Sequence, residues 1–137
     1  MRIVVGFLRS PEGRAALQRA VEEARLRDAE LLVVHSFRGG TRDSQEEIVA
    51  YRQEFERLEQ QLTEEGVRYR LREYVRGNAP DEDLLQVAKD EEADLIVIGL
   101  RRRSPVGKLV LGSNAQDILL QADCAVLAVK AGEPVDA

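Results

Sequence analysis

Asp94-Leu95-Ile96-Val97-Ile98-Gly99 is an unbroken apolar run opened by an acid and closed by a glycine. A run with no alternating polar residue suits a strand buried on both faces. Three further strands read the same way: Ile3-Val4-Val5 ending at Gly6, Leu31-Leu32-Val33-Val34-His35, and Ala125-Val126-Leu127-Ala128-Val129-Lys130. Val67-Arg68-Tyr69-Arg70-Leu71-Arg72 differs, because apolar and basic residues alternate. That period marks a half-buried strand, and its arginines mark a protected sheet edge.

Helix signals fill the intervals. Ser10-Pro11-Glu12 supplies an N-cap, a first-turn proline and a first-turn acid. Ala16, Leu17, Ala20, Val21 and Ala24 follow at helical spacing to about Asp28. Ser44-Gln45-Glu46-Glu47 has capping-box spacing, and Ile48, Tyr51, Phe55, Leu58 and Leu62 continue it until Gly66. Pro80 opens a third helix carrying Leu84, Leu85 and Ala88, and a fourth runs from Ser113 to Gln121 with Ile118 and Leu119 inward. Buried strands alternating with amphipathic helices call for a mostly parallel, doubly wound α/β sheet with helices on both faces. One domain over residues 1–131 and a short tail over 132–137 account for the chain.

The composition excludes several function classes. The 137 residues are 44% hydrophobic and 33% charged, with a formal charge of −5. An acidic domain is a poor general nucleic-acid binder. The apolar runs are too short to span a bilayer, and no secretory h-region opens the chain, so the expectation is a cytoplasmic protein. Cys124 is the only cysteine, which leaves no intramolecular disulfide, and no metal site is evident.

Basic residues nonetheless gather in one place. Between Gly99 and Gly112-Ser113-Asn114 lie Arg101, Arg102, Arg103 and Lys108. The loop leaves a buried strand at Gly99, where a bare backbone allows close approach by a ligand. It enters a helix whose first N–H groups and Ser113 hydroxyl can hold an anion, with guanidinium groups beside them. An equally direct reading makes Ser113 a helix cap and the arginines a solvated loop. Gly107-Lys108 is followed by Leu109, so this is not a Walker A loop, and no G-x-G-x-x-G follows a strand.

In its strands and this loop together, the chain resembles the universal stress protein family. Nucleotide-binding members carry G-x-x-G, nine residues, then G-S or G-T after the fourth strand. Gly99 matches the first glycine and Gly112-Ser113 the final pair, in register. The stretches Ile3 to Gly6 with Ser10-Pro11-Glu12, Leu32 to His35, and Cys124 to Lys130 match the family's first, second and last strands. The resemblance implies a five-stranded parallel sheet ordered 3-2-1-4-5, of the adenine nucleotide alpha hydrolase-like kind, often dimeric. It implies ATP or AMP between strands one and four. By position, Gly6, Leu8 and Ser36 would lie near adenine and ribose and Gly99, Arg102, Gly112, Ser113 and Asn114 near the phosphates, with Phe7, Ile98 and Arg101 also counted in the nucleotide site. Leu8 stands where the nucleotide-binding pattern has an acid, and Arg102 where it has the middle glycine.

Other residues read as structural. His35 is the only histidine and makes a poor metal ligand, Cys124 reads as a packed thiol, and Asp81-Glu82-Asp83 suits a helix start through the dipole alone. No Ser-His-acid or paired-carboxylate motif supports catalysis, so neither an enzyme nor a weak ATPase has backing in the residues. The fifth strand carries no charge from Val126 through Leu127 and Ala128 to Val129, which invites an antiparallel homodimer. The expected function is a regulatory stress-response protein holding an adenine nucleotide. The alternative is a nucleotide-free module whose basic loop meets an acidic partner.

Overall fold

A computed structural model describes residues 1–37, 45–75, 79–101 and 113–131. The elements run β1 (Arg2–Gly6), α1 (Pro11–Arg27), β2 (Glu30–Phe37), α2 (Gln45–Glu64), β3 (Tyr69–Val75), α3 (Pro80–Asp90), β4 (Leu95–Arg101), α4 (Ser113–Gln121) and β5 (Ala125–Ala131). All pairings are parallel, and the strand order is β3-β2-β1-β4-β5. The five-stranded α/β architecture expected from the alternating elements is the one found.

Strand periodicity divides the core in two. Ile3, Val5, Leu31, Val33, Leu95 and Val97 pack with residues of α1 and α2. Val4, Leu32, Val34, Ile96 and Ile98 face the other way, onto Leu84, Val87 and Ala88 of α3 and Ile118 of α4. Strands covered on both sides must be apolar at every position, which is why the central runs do not alternate. Each wholly buried leucine or isoleucine among them contributes about 1.5–3 kcal/mol.

Caps fall where the residue types put them. Ser10 Oγ accepts from the Gly13 N–H at 3.1 Å, and Asp28 closes α1 in the left-handed region at φ 51°. Gly66 follows α2 at φ +70°, where a bare backbone is favoured. The expected Ser44 cap and the tail 132–137 lie outside the described residues.

Several boundaries differ from the sequence reading. Val67 is not in β3: its N–H bonds the Leu62 carbonyl at 2.9 Å, so it belongs to the exit of α2. β3 continues instead through Glu73 and Tyr74 because β2 runs on to Phe37 and supplies partners for them. Leu119 is 43% exposed, whereas Ile118 is buried, because a nine-residue helix on one sheet face has a narrow inward stripe. β4 does not stop at Gly99 but continues to Arg101, paired with β5 as far as Ala131.

β3 is a sheet edge, and its arginines turn back onto the protein. Arg70 donates to Glu30 and Glu91, and Arg72 also donates to Glu91. The Arg70 hydrogen bond, with Arg72 beside it, holds the Glu91 carboxyl below the usual range. A depressed carboxylate stabilises the fold above its unfolded value, and the effect is lost as pH falls through the folded one. Glu91→Gln should therefore cost about 1 kcal/mol or less at pH 7, with the gap to wild type closing in acid. Urea unfolding at pH 7 and pH 3 checks this. An equal gap at both would mean that the ion pairs are not its source.

Gly99 has a separate constraint. A Cβ there would stand 2.0 Å from the Glu12 carbonyl oxygen, in the first turn of α1. The close approach is made by the chain's own backbone. Gly99→Ala should destabilise by about 1–3 kcal/mol, measured by urea unfolding without ligand. Unchanged stability would show that α1 can move aside freely.

Candidate functional site

The β1–β4 pairing joins Ile3 to Leu95, Val4 to Ile96 and Val5 to Val97, then ends. Gly6 and Ile98 stand just beyond the last rung, at the carboxyl ends of the two strands. Helices leave this point in opposite directions, α1 to one face and α4 to the other. In open parallel sheets that is where a crevice forms.

A cleft of about 100 Å³ occupies it. Of the residues named from the sequence, Gly6, Leu8, Ser36, Ile98, Gly99 and Asn114 line it. Glu12, Gly13 and Ala16 of α1 form one wall; Pro80, Asp81 and Leu84 of α3, with Ala115 and Ile118 of α4, form the other. Gly6 would meet only the Leu84 side chain at 3.6 Å if it carried a Cβ, an ordinary contact. Leu8 is 45% exposed at the rim.

Not every candidate enters the cleft. Phe7 is buried in an aromatic group, edge-on to Tyr51 at 5.1 Å and to Phe55 at 5.9 Å. Arg101 ends β4, exposed and opposite Ala131, and does not line the cleft. Ser113 begins α4, so its backbone opens the helix that carries Asn114. Arg102, Arg103, Lys108 and Gly112 lie outside the described residues.

His35 is structural, as its type and position suggested. Its ring stacks on Tyr51 at 3.8 Å, and Nδ1 lies 3.1 Å from the Phe7 carbonyl. A carbonyl only accepts, so Nδ1 carries the proton. Cys124 is half-buried, and burial pushes its thiol up, which makes it a weak nucleophile. Among the described residues no group of three or more metal-ligating side chains comes together.

The acids at the start of α3 do more than favour the helix dipole. Asp83 is buried and accepts the Ser36 hydroxyl at 2.6 Å, tying the end of β2 to α3. Asp81 is 5% exposed, and its carboxyl is held above the usual range by burial and by Asp117 of α4. Of the buried oxygens without a hydrogen-bond partner among the described residues, Glu12 Oε2 and Asp81 Oδ1 belong to residues that line the cleft. Sequence reasoning missed these two. First-turn acids are ordinary, and only α4 folding over Asp81 shows that it is enclosed.

A raised carboxyl binds its proton more tightly folded than unfolded. Its stabilising contribution is present below the ordinary aspartate range and is lost as pH rises through the raised value. Asp81→Asn, whose amide can donate to Asp117, should gain stability relative to wild type at pH 8 more than at pH 4. Thermal unfolding at the two pH values tests this, and a gain that is equal or larger at pH 4 would contradict it.

A larger groove of about 580 Å³ runs between α3 and α4, but Asp81, which also borders the cleft, and Glu82, Glu92, Asp117 and Asp123 oppose a single Lys89 there. An anion is disfavoured in it.

Fold and cleft together define a doubly wound α/β domain with a crevice at its switch point. The model of the Universal stress protein family matches residues 1–130, and the chain belongs to that family. It is similar to a universal stress protein of Mycolicibacterium smegmatis, 42% identical over 128 residues, covering 93% of this chain and 96% of the relative. A solved universal stress protein from Archaeoglobus fulgidus is 38% identical, with a TM-score of 0.77 over 95% of this chain and 98% of its own. A universal stress protein from the same organism, solved in complex with dAMP, is 33% identical with a TM-score of 0.72, at the same coverage of both chains. No helix among the described residues is long and apolar enough to cross a membrane.

Proposed function

We propose that this protein is a stress-response regulator that holds an adenine nucleotide, AMP or ATP, in the cleft between β1 and β4, without efficient turnover. The observation that carries this reading is the convergence of Gly6, Leu8, Ser36, Ile98, Gly99 and Asn114 on that cleft. The dAMP complex of the Archaeoglobus fulgidus relative supports adenine as the base. The base and sugar take the apolar wall of Leu8, Val34, Ile98 and Ile118, and the phosphates extend to the start of α4. Arg102, Gly112 and Ser113 act on the phosphates in this reading, with guanidinium pairing offsetting the loss of the middle glycine.

AMP at a hundred times its dissociation constant should add roughly 2.7 kcal/mol of stability, raising Tm by about 10 °C. Inorganic phosphate should do much less, and Arg102→Ala should diminish the AMP shift. Leu8→Asp should deepen it for nucleosides but not for phosphate. No shift with ATP, AMP or cyclic AMP would favour the nucleotide-free interaction module.

We further propose a homodimer through β5, a sheet edge whose residues Val126, Leu127, Ala128 and Val129 are uncharged. Leu127 and Val129 pack against the α1–α2 core, so changing them disturbs the fold as well. Ala128 is exposed and is the cleaner probe. Sedimentation at micromolar concentration should give a dimer for wild type and a monomer for Ala128→Lys. A wild-type monomer would overturn the proposal.

A further inference from the structure

The cleft holds two buried acceptors with nothing to accept. Glu12 Oε2 and Asp81 Oδ1 are each enclosed and unpartnered among the described residues, and they sit on opposing walls of the same cleft. A buried carboxylate oxygen without a donor carries its full desolvation cost, so such a pair is matched by a ligand that brings N–H or O–H groups. Phosphate oxygens bring none at neutral pH. The hydroxyls of a ribose and the amino group of a base bring both kinds.

Glu12 also stands close to a gap. Leu8 lines the same cleft with a side chain that carries no acceptor, and the Leu8 backbone lies against the first turn of α1. A Cβ on Gly13 would meet the Leu8 carbonyl oxygen at 2.5 Å, and the Glu12 carbonyl abuts Gly99 on the other side. The Glu12 backbone is thus held between Leu8 and Gly99, and its side chain borders the same cleft as Leu8.

We propose that Glu12 and Asp81 are the specificity-determining acceptors of the cleft, taking the hydroxyl and amino donors of a bound nucleoside, with Glu12 on the ribose. This rests on the adenine-nucleotide reading above. It makes the nucleoside, rather than the phosphates, the part of the ligand that the described walls discriminate.

Calorimetry with AMP, its 2′,3′-dideoxy analogue and inosine monophosphate, which lacks the amino group, tests the assignment. Wild type should bind AMP about tenfold more tightly than either analogue. Glu12→Met, similar in length but without an acceptor, should bind AMP about tenfold more weakly and accept the dideoxy analogue equally well. Glu12→Gln keeps a carbonyl oxygen and should restore the preference for ribose. Asp81→Leu should lose the preference for AMP over the inosine nucleotide, and Asp81→Asn should recover it. Far-ultraviolet circular dichroism confirms that each variant is folded, and the Gln and Asn variants report even if a partner variant does not fold. AMP binding with both preferences unchanged in Glu12→Met and Asp81→Leu would overturn this inference and leave the nucleotide reading intact. Wild type binding none of the three would overturn both.

Discussion

The first turn of α1 rests on β4 with no room for a side chain between them. At Gly99 a Cβ would lie 2.0 Å from the Glu12 carbonyl oxygen, well inside any tolerated contact. This approach fixes the start of α1 beside the carboxyl end of β4. Glu12 and Gly99 border the crevice at this point of contact. Ser10, capping the helix at Gly13, and Leu8, pressed against the same turn, complete the arrangement. A glycine that reads as an opening for a ligand is first a requirement of packing.

The second wall depends on charge taken out of water. Asp83 ties α3 to the end of β2 through Ser36, a short hydrogen bond that compensates its burial. Asp81 is held above its ordinary range by burial first and by the neighbouring acid Asp117 second. Buried acids of this kind cost stability unless something compensates them. That cost falls at the crevice, where a ligand can offset it, and away from the apolar centre of the sheet.

The architecture was legible because the central strands have to be apolar on both faces. Val4, Val5, Leu31, Leu32, Ile96 and Val97 leave no amphipathic period that a helix reading could use, and proline and glycine punctuate the elements between them. Ends were less legible. Strand length depends on the partner: β2 reaches Phe37 and draws β3 through Glu73 and Tyr74, whose polarity hides a strand. The site was legible in its backbone elements, since Gly6, Ser36 and Gly99 lie at the ends of strands. Its carboxylates were not. Glu12 and Asp81 look like any first-turn acid, and their enclosure arises only from elements distant in sequence.

The central claim is that the crevice between β1 and β4 is where this member of the universal stress protein family takes its ligand. Amide chemical-shift mapping of the 15N-labelled protein titrated with AMP tests it directly. The account predicts shifts at Gly6, Leu8, Gly13, Ser36, Gly99 and Asn114, with Lys89, Glu92 and Gln121 of the outer α3–α4 groove unmoved. Shifts confined to that groove, or none at millimolar AMP, would contradict it.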